Sequence, residues 1–380
     1  MDAGSVLAEV GQIATRFAAN RQDRQGRREL DPVDFDDLAK AGFLLTGVQS
    51  RHGGLFETVR SSVRPIAEIV RTLARGDPSV ALVSSMHPAV LALWLATEDV
   101  PEPARSAWAE QRDSVCAMAG NGAWFGTITS EPGSGGDVAQ TRATARSGGD
   151  GRWLLSGQKH FGSGSGITSF MLTTARPDGE DEPDWFLLEV RDVRWDGSQG
   201  MSLVAPWDGH GMAATQSHGM AFTDFPATRV AWPGQWRAII DAASPFNGTL
   251  FTAVILGVVE SAMEEASAQL RRRTSLRPYE QVEWSNAEQD AWLMHQAYEG
   301  MLRAVETEPA PLRSVLLGKT AAAALAEDCL RRLTRILGGG TFSRHSPFGF
   351  WFEDVRALGF LRPPWGLAFD GLYQASWSAP

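Results

Sequence analysis

The chain has 380 residues, with 35 Lys and Arg against 45 Asp and Glu, a formal net charge of −10, and 43% hydrophobic and 21% charged residues, close to globular averages. That acidic excess leaves no basic surplus to neutralise phosphates, which argues against a nucleic-acid or anionic-membrane surface. Against only 3 Tyr, the 14 Trp and 39 Gly point to broad aromatic burial and to tight turns or close backbone approach to a ligand.

The first residues, MDAGSVLAEVGQIATRF, lack the basic region and apolar run of a signal peptide. Residues 1–118 read as a helical domain: Phe35, Leu38, Ala41 and Leu44/Leu45 recur at helical spacing, as do apolar positions in 63–75. Asp77 is the expected cap of a helix starting at Pro78. Pro88, inside the apolar run 80–96, is expected to break or kink that helix and free a carbonyl near His87. Residues 119–233 read as strands forming a β-barrel or sandwich, with runs at 139–145, 153–156, 168–175, 184–190 and 219–225. Gly148-Gly149-Asp150-Gly151 marks a hairpin. Residues 234–380 return to long periodic helices, 249–273, 283–306 and 312–337, the last stopped by Gly338-Gly339-Gly340. The apolar stretches near 80–96 and 250–263 carry His87, Pro88 or Glu260 and are expected to fall short of a membrane span. Cys116 and Cys329 cannot form a disulfide framework and read as buried thiols. The expectation is a soluble cytoplasmic protein without a membrane segment.

Four local features could carry chemistry. Thr129–Asp137 (TSEPGSGGD) presents backbone donors and hydroxyls suited to a flat polar ring or a phosphate, or is a surface loop. Lys159–Gly166 (KHFGSGSG) could stack on and hydrogen-bond a ring, and a Gly-rich turn explains it equally. Gly338–Gly340 is a helix C-cap, where backbone could also approach a dinucleotide. In the tail 352–365, Glu353, Asp354 and Arg356 read as an ion-pair cluster, and the Pro363-Pro364 pair restricts Arg362. Trp153, Trp207, Trp284 and Trp351 read as core. No Walker loop, G-x-G-x-x-G, nucleophile elbow or metal-ligand spacing occurs, so no metal is expected.

Taken in order, five segments resemble the acyl-CoA dehydrogenase superfamily of flavoproteins: LAKAGFLLTGVQSRHGG, TSEPGSGGDV, LLSGQKHFGSGSG, GHGMAATQSHGMAFTDFPATRV and TRILGGGTFSRHSPFGFWFEDVRAL. The resemblance runs through nearly the whole chain. It implies an α+β fold with an N-terminal helical domain, a central β-barrel and a C-terminal four-helix bundle. It also implies FAD between barrel and bundle, and a homotetramer or homodimer. Carried over by position, Thr129 and Ser130 would contact the flavin ring. Phe161 and Ser163 would lie beside it, Ser163 reaching its N5 edge. Arg273 would meet the pyrophosphate, and Leu337, Gly338, Gly339 and Gly340 the adenine half across a subunit interface.

The departures are as informative. The family's dehydrogenases remove an α-proton of an acyl-CoA with a glutamate while flavin N5 takes the β-hydride. In most members that glutamate stands where this chain has Arg362, eight residues after Asp354. In others it opens the first bundle helix, where this chain has Asn247 followed by Gly248. Arginine cannot serve as a base. One reading is an FAD-dependent oxidoreductase of an acyl-CoA-like CH–CH bond with its base elsewhere, passing electrons to an electron-transfer flavoprotein. The alternative is a two-component monooxygenase of the same superfamily, using O2 with FMN or transient reduced flavin from a separate reductase. "HFGSG" resembles the H-F-C-S-G of that branch, and His87 stands where a helix histidine assists there. On either reading Ser163, His87 and Arg362 are the catalytic candidates. Arg362 would orient an anionic group of a small-molecule or acyl-thioester substrate, unless it pairs with Glu353 or Asp354.

Overall fold

The computed structural model describes residues 2–149 and 151–377, so Asp150 of the expected hairpin lies outside the described residues. The chain opens with α1 (Ala3–Ala19), α2 (Arg21–Gln25) and α3 (Pro32–Lys40). Then come α4 (Val59–Gly76), started by a Thr58–Ser61 capping box, α5 (Pro78–Leu95) and α6 (Arg105–Gly120). Asp77 caps α5 as expected, its carboxylate accepting from Val80 N at 3.0 Å. Pro88 does not break the helix: α5 continues through it to Leu95. The ring costs the helix one N–H, but every α5 residue is buried, and packing on all sides outweighs the lost hydrogen bond.

Among the described residues seven strands follow: β1 (Phe125–Thr127), β2 (Thr144–Gly149), β3 (Arg152–Gly162), β4 (Phe170–Pro177), β5 (Asp184–Glu189), β6 (Met201–Ala205) and β7 (His218–Arg229). Their pairing closes a ring, β4–β5–β7–β3–β2–β4, with β1 added to β4 and β6 to β7. This is a small barrel with its own interior, including Leu155, Met171, Phe186, Leu188, Met220, Phe222 and Phe225. The strand expected at 139–145 starts instead at Thr144. Asp137 caps Ala139 N at 2.9 Å and turns 138–140 into a short 3-10 helix.

The C-terminal part consists of α7 (Trp236–Leu270), α8 (Pro278–Thr307), α9 (Leu312–Leu337), α10 (Pro347–Leu358) and α11 (Trp365–Trp377). α7 is the central helix, packed on α4, α5, α8, α9 and α10. At Gly257 it comes so close to α4 that a Cβ would stand 2.8 Å from Ala74 Cβ. By length and composition α5 and α7 could each cross a membrane, contrary to the expectation from the shorter apolar runs. Both are enclosed by the rest of the chain, 100% and 83% buried. Cys116 and Cys329 are free and buried. Trp351 is core, but Trp153 and Trp284 are only partly covered and Trp207 faces a pocket.

Candidate functional site

The loop after β1 is fixed from inside. Lys159 of β3 reaches Glu131 at 2.6 Å, with side chains 0% and 4% exposed. Glu131 also accepts from Arg142 N at 2.8 Å and Ala143 N at 3.1 Å. Burial pushes the Glu131 carboxyl up, but the Lys159 ammonium and those two N–H donors outweigh it and hold it below the usual carboxylate range. Burial draws the Lys159 ammonium down to about 8, against the pull of Glu131. One residue earlier, Ser130 O accepts from His160 N at 2.7 Å. Thr129, Ser130 and the segment 160–163 therefore run side by side.

At the end of β3 the ladder slips between Lys159 and Gly162. Phe161 takes a left-handed φ of 59°, a strained conformation for a bulky residue. That bulge leaves the residue 57% exposed, with the Trp207 ring edge-on to its own at 6.1 Å. Phe161, Trp207, His160, Asp208 and Ser217 line a pocket of about 320 Å³, within the range of small-ligand sites. His218 anchors Trp207, its Nδ1 accepting from Trp207 N at 2.8 Å; burial lowers the pKa of this ring.

Behind this mouth lies a line of hydroxyls. Ser163 Oγ is 2.7 Å from Ser217 Oγ, which is 2.7 Å from Thr215 Oγ1, which is 2.8 Å from Met212 O. Gly164 N donates to Thr215 O at 2.8 Å and joins the two segments. The Gly164 φ of 79° and its contact with α5 require glycine, since a Cβ would come within 2.7 Å of Val83.

Arg362, from the turn before α11, reaches the same loop. Its guanidinium donates to Ser130 Oγ at 3.2 Å and Gly136 O at 3.0 Å. It forms no ion pair with Glu353 or Asp354: Glu353 bonds Arg356, and Asp354 accepts from Met212 N at 2.7 Å. Asp354 thus leaves the expected ion-pair cluster, and burial pushes its carboxyl up to about 7. Burial also draws Arg362 down to about 10, countered by Asp137, which leaves it protonated at neutral pH. Lys319 of α9, 2% exposed, holds the backbone on both sides of Arg362, donating to Leu361 O at 2.5 Å and to Pro363 O. Asn247 Oδ1 is buried without a hydrogen-bond partner.

Thr129, Ser130, Phe161, Ser163 and Arg362 thus gather around one region. Arg273, Leu337, Gly338 and Gly339 form another group at the ends of α7 and α9. There Arg273 donates to Ile336 O at 3.2 Å and Leu337 O at 3.4 Å and pairs with Glu280. Gly338, with φ 88°, caps α9. His87 is enclosed and bonded to backbone on both ring nitrogens. It is 0% exposed, Nε2 lies 2.9 Å from Leu44 O, and Nδ1 accepts from Phe125 N at 3.3 Å. Burial draws it down to about 4, so it is a neutral post between the N-terminal helices and β1. Ser217, Thr215, Trp207 and Lys319 were not legible as site residues, although Thr215 and Ser217 lie within one of the motif segments.

Residues 126–225 match the family model "acyl-CoA dehydrogenase, middle domain". The putative acyl-CoA dehydrogenase YdbM of Bacillus subtilis is 24% identical over 94% of this chain and 92% of its own length. Among solved structures, FMN-bound TdsC of Paenibacillus sp. A11-2 superposes with a TM-score of 0.81 at 19% identity, covering 98% of this chain and 97% of that one. TdsC is described as a dibenzothiophene monooxygenase. KijD3, in complex with FMN and a dTDP-amino-keto-sugar, gives a TM-score of 0.81 at 21% identity, covering 98% and 93%.

Proposed function

We propose that this chain, an acyl-CoA dehydrogenase-like protein by its middle domain and its fold, is a flavin-dependent monooxygenase acting on a small molecule with an anionic group. A separate flavin reductase is its proposed partner. The observation that carries this reading is Arg362. Where an acyl-CoA dehydrogenase needs a carboxylate base, this chain puts a protonated guanidinium against Ser130 and Gly136. Asn247, at the other base position, cannot take a proton either.

The residues present fit a flavin. Phe161 and Trp207 offer aromatic surface to a flat ring, Ser217 brings a hydroxyl oxygen to the same pocket with Ser163 bonded behind it, and Ser130 runs beside His160 at its edge. The flavin, FMN as in TdsC and KijD3 or FAD as the resemblance implies, would supply the redox and oxygen chemistry. Arg362 orients the substrate's anionic group, a bond that strengthens when a charged partner replaces its present neutral ones. Lys319 keeps that guanidinium in place, and the Lys159–Glu131 pair keeps Ser130 in place. Phe161 and Trp207 shield the ring from water. In the proposed homo-oligomer, Arg273 and Leu337–Gly339 contribute to the site of a neighbouring copy.

Anaerobic titration with reduced FMN, followed by mixing with oxygenated buffer, tests the reading. Reduced FMN should bind, and its reoxidation should change when protein-bound. A protein that ignores reduced FMN but purifies with FAD that an acyl-CoA reduces would overturn it.

A further inference from the structure

The hydroxyl line behind the pocket has only one hydrogen-bond direction open to it. Thr215 is fully buried and Ser163 and Ser217 are 7% and 8% exposed, so the order of the line is set from its buried inner end. The line ends on a carbonyl, Met212 O, which can only accept. Thr215 Oγ1 lies 2.8 Å from it, a separation at which two oxygens repel unless a hydrogen lies between them. Thr215 therefore donates to Met212 O and must accept from Ser217. Ser217, its hydrogen so placed, must accept from Ser163. Among the described residues, Ser163 Oγ has no other partner. Its hydrogen points inward, and the side left for a ligand carries lone pairs alone.

We infer that Thr215 and Ser217 are positioning residues that fix Ser163 as a hydrogen-bond acceptor, so that the site prefers a ligand presenting an N–H donor there. Given the proposed flavin site with the ring's N5 edge toward Ser163, on which this rests, that ligand is the reduced flavin. Reduced flavin carries a hydrogen on N5, whereas oxidised flavin offers only a lone pair, which would oppose those of Ser163. The line thus tunes which redox state the protein holds, without itself taking part in electron transfer.

The test compares dissociation constants of oxidised FMN and of anaerobically reduced FMN for the wild type and for Thr215→Val, Thr215→Ser and Ser217→Ala. Thr215→Val keeps the shape but removes the acceptor for Ser217, so Ser217 can donate back to Ser163 and free the Ser163 hydrogen for the ligand. The wild type should bind reduced FMN more tightly. In Thr215→Val and Ser217→Ala that preference should fall roughly fivefold, the change expected from one hydrogen bond of ordinary net strength. Thr215→Ser, which keeps the hydroxyl, should retain it, and that separates polarity from mere packing. Equal preference in wild type and Thr215→Val, or equal loss in Thr215→Val and Thr215→Ser, would overturn the inference while leaving the flavin site standing. Binding of neither form by the wild type would overturn both.

Discussion

Replacing Lys159 by methionine perturbs the site from beneath. The substitution keeps an unbranched side chain but leaves the Glu131 carboxylate, 4% exposed, without its ammonium partner. Removing one member of a buried pair costs about 3–5 kcal/mol, because the other charge stays buried. Glu131 keeps two backbone donors at 2.8 and 3.1 Å and the solvent-facing Arg142 at 3.7 Å, so the lower end, about 3 kcal/mol, is expected. That is roughly a fifth to three-fifths of the stability of many domains, about 5–15 kcal/mol. The loss should also depend on pH. In the wild type the Glu131 carboxyl is held low, so its contribution is present above the usual carboxylate range and is lost as pH falls through the folded value. Without Lys159, burial dominates and the folded carboxyl rises, so the variant regains relative stability towards acid. Urea denaturation of both proteins at neutral and mildly acidic pH measures this. A loss under about 1 kcal/mol, or one unchanged by pH, would refute the view that this pair pins the 129–137 loop.

Asp354→Asn tests a group of opposite sign. Its buried carboxyl is raised to about 7, so wild-type stability should fall as pH rises from the usual carboxylate range to about 7 and then level off. The variant's relative gain over that window should approach about 4 kcal/mol at most, at about 1.4 kcal/mol per unit, read by thermal melts. Lys319→Met strips the Leu361 and Pro363 carbonyls of their shared donor and should cost about 1–3 kcal/mol. Chymotryptic cleavage after Phe360, 65% exposed, should accelerate, and an unchanged rate would contradict the positioning role. Arg362→Ala should weaken binding of small carboxylates and sulfonates roughly tenfold while sparing neutral ligands. Equal affinities before and after would remove Arg362 from substrate recognition.

Much of the fold could be read from sequence because its signals were local. The Asp77-Pro78 start of α5, the helix stop at Gly338 and four of the strands depend on neighbouring residues. β1 and β6, three and five residues long, are too short for alternation to show. Pro88 does not end its helix because α5 lies wholly inside the protein, where tertiary packing overrides propensity. In the site, the Gly-rich and HFGSG segments stood out by composition. Their fastening did not: Lys159 and Glu131 are 28 residues apart, and Ser163 and Ser217 are 54 apart. Such pairings depend on β3 meeting the loop after β1 and the segment before β7. His87 shows another limit: its sequence position could not reveal that both ring nitrogens meet backbone groups.

The distinction between oxygenase and dehydrogenase rests on the absence of a base at Arg362 and Asn247. The most direct test is the visible spectrum of the flavin-loaded protein, recorded without oxygen before and after adding short- and long-chain acyl-CoA. The flavin band should persist with every acyl-CoA. Bleaching by any of them would show that a base acts in this site and that the enzyme is a dehydrogenase.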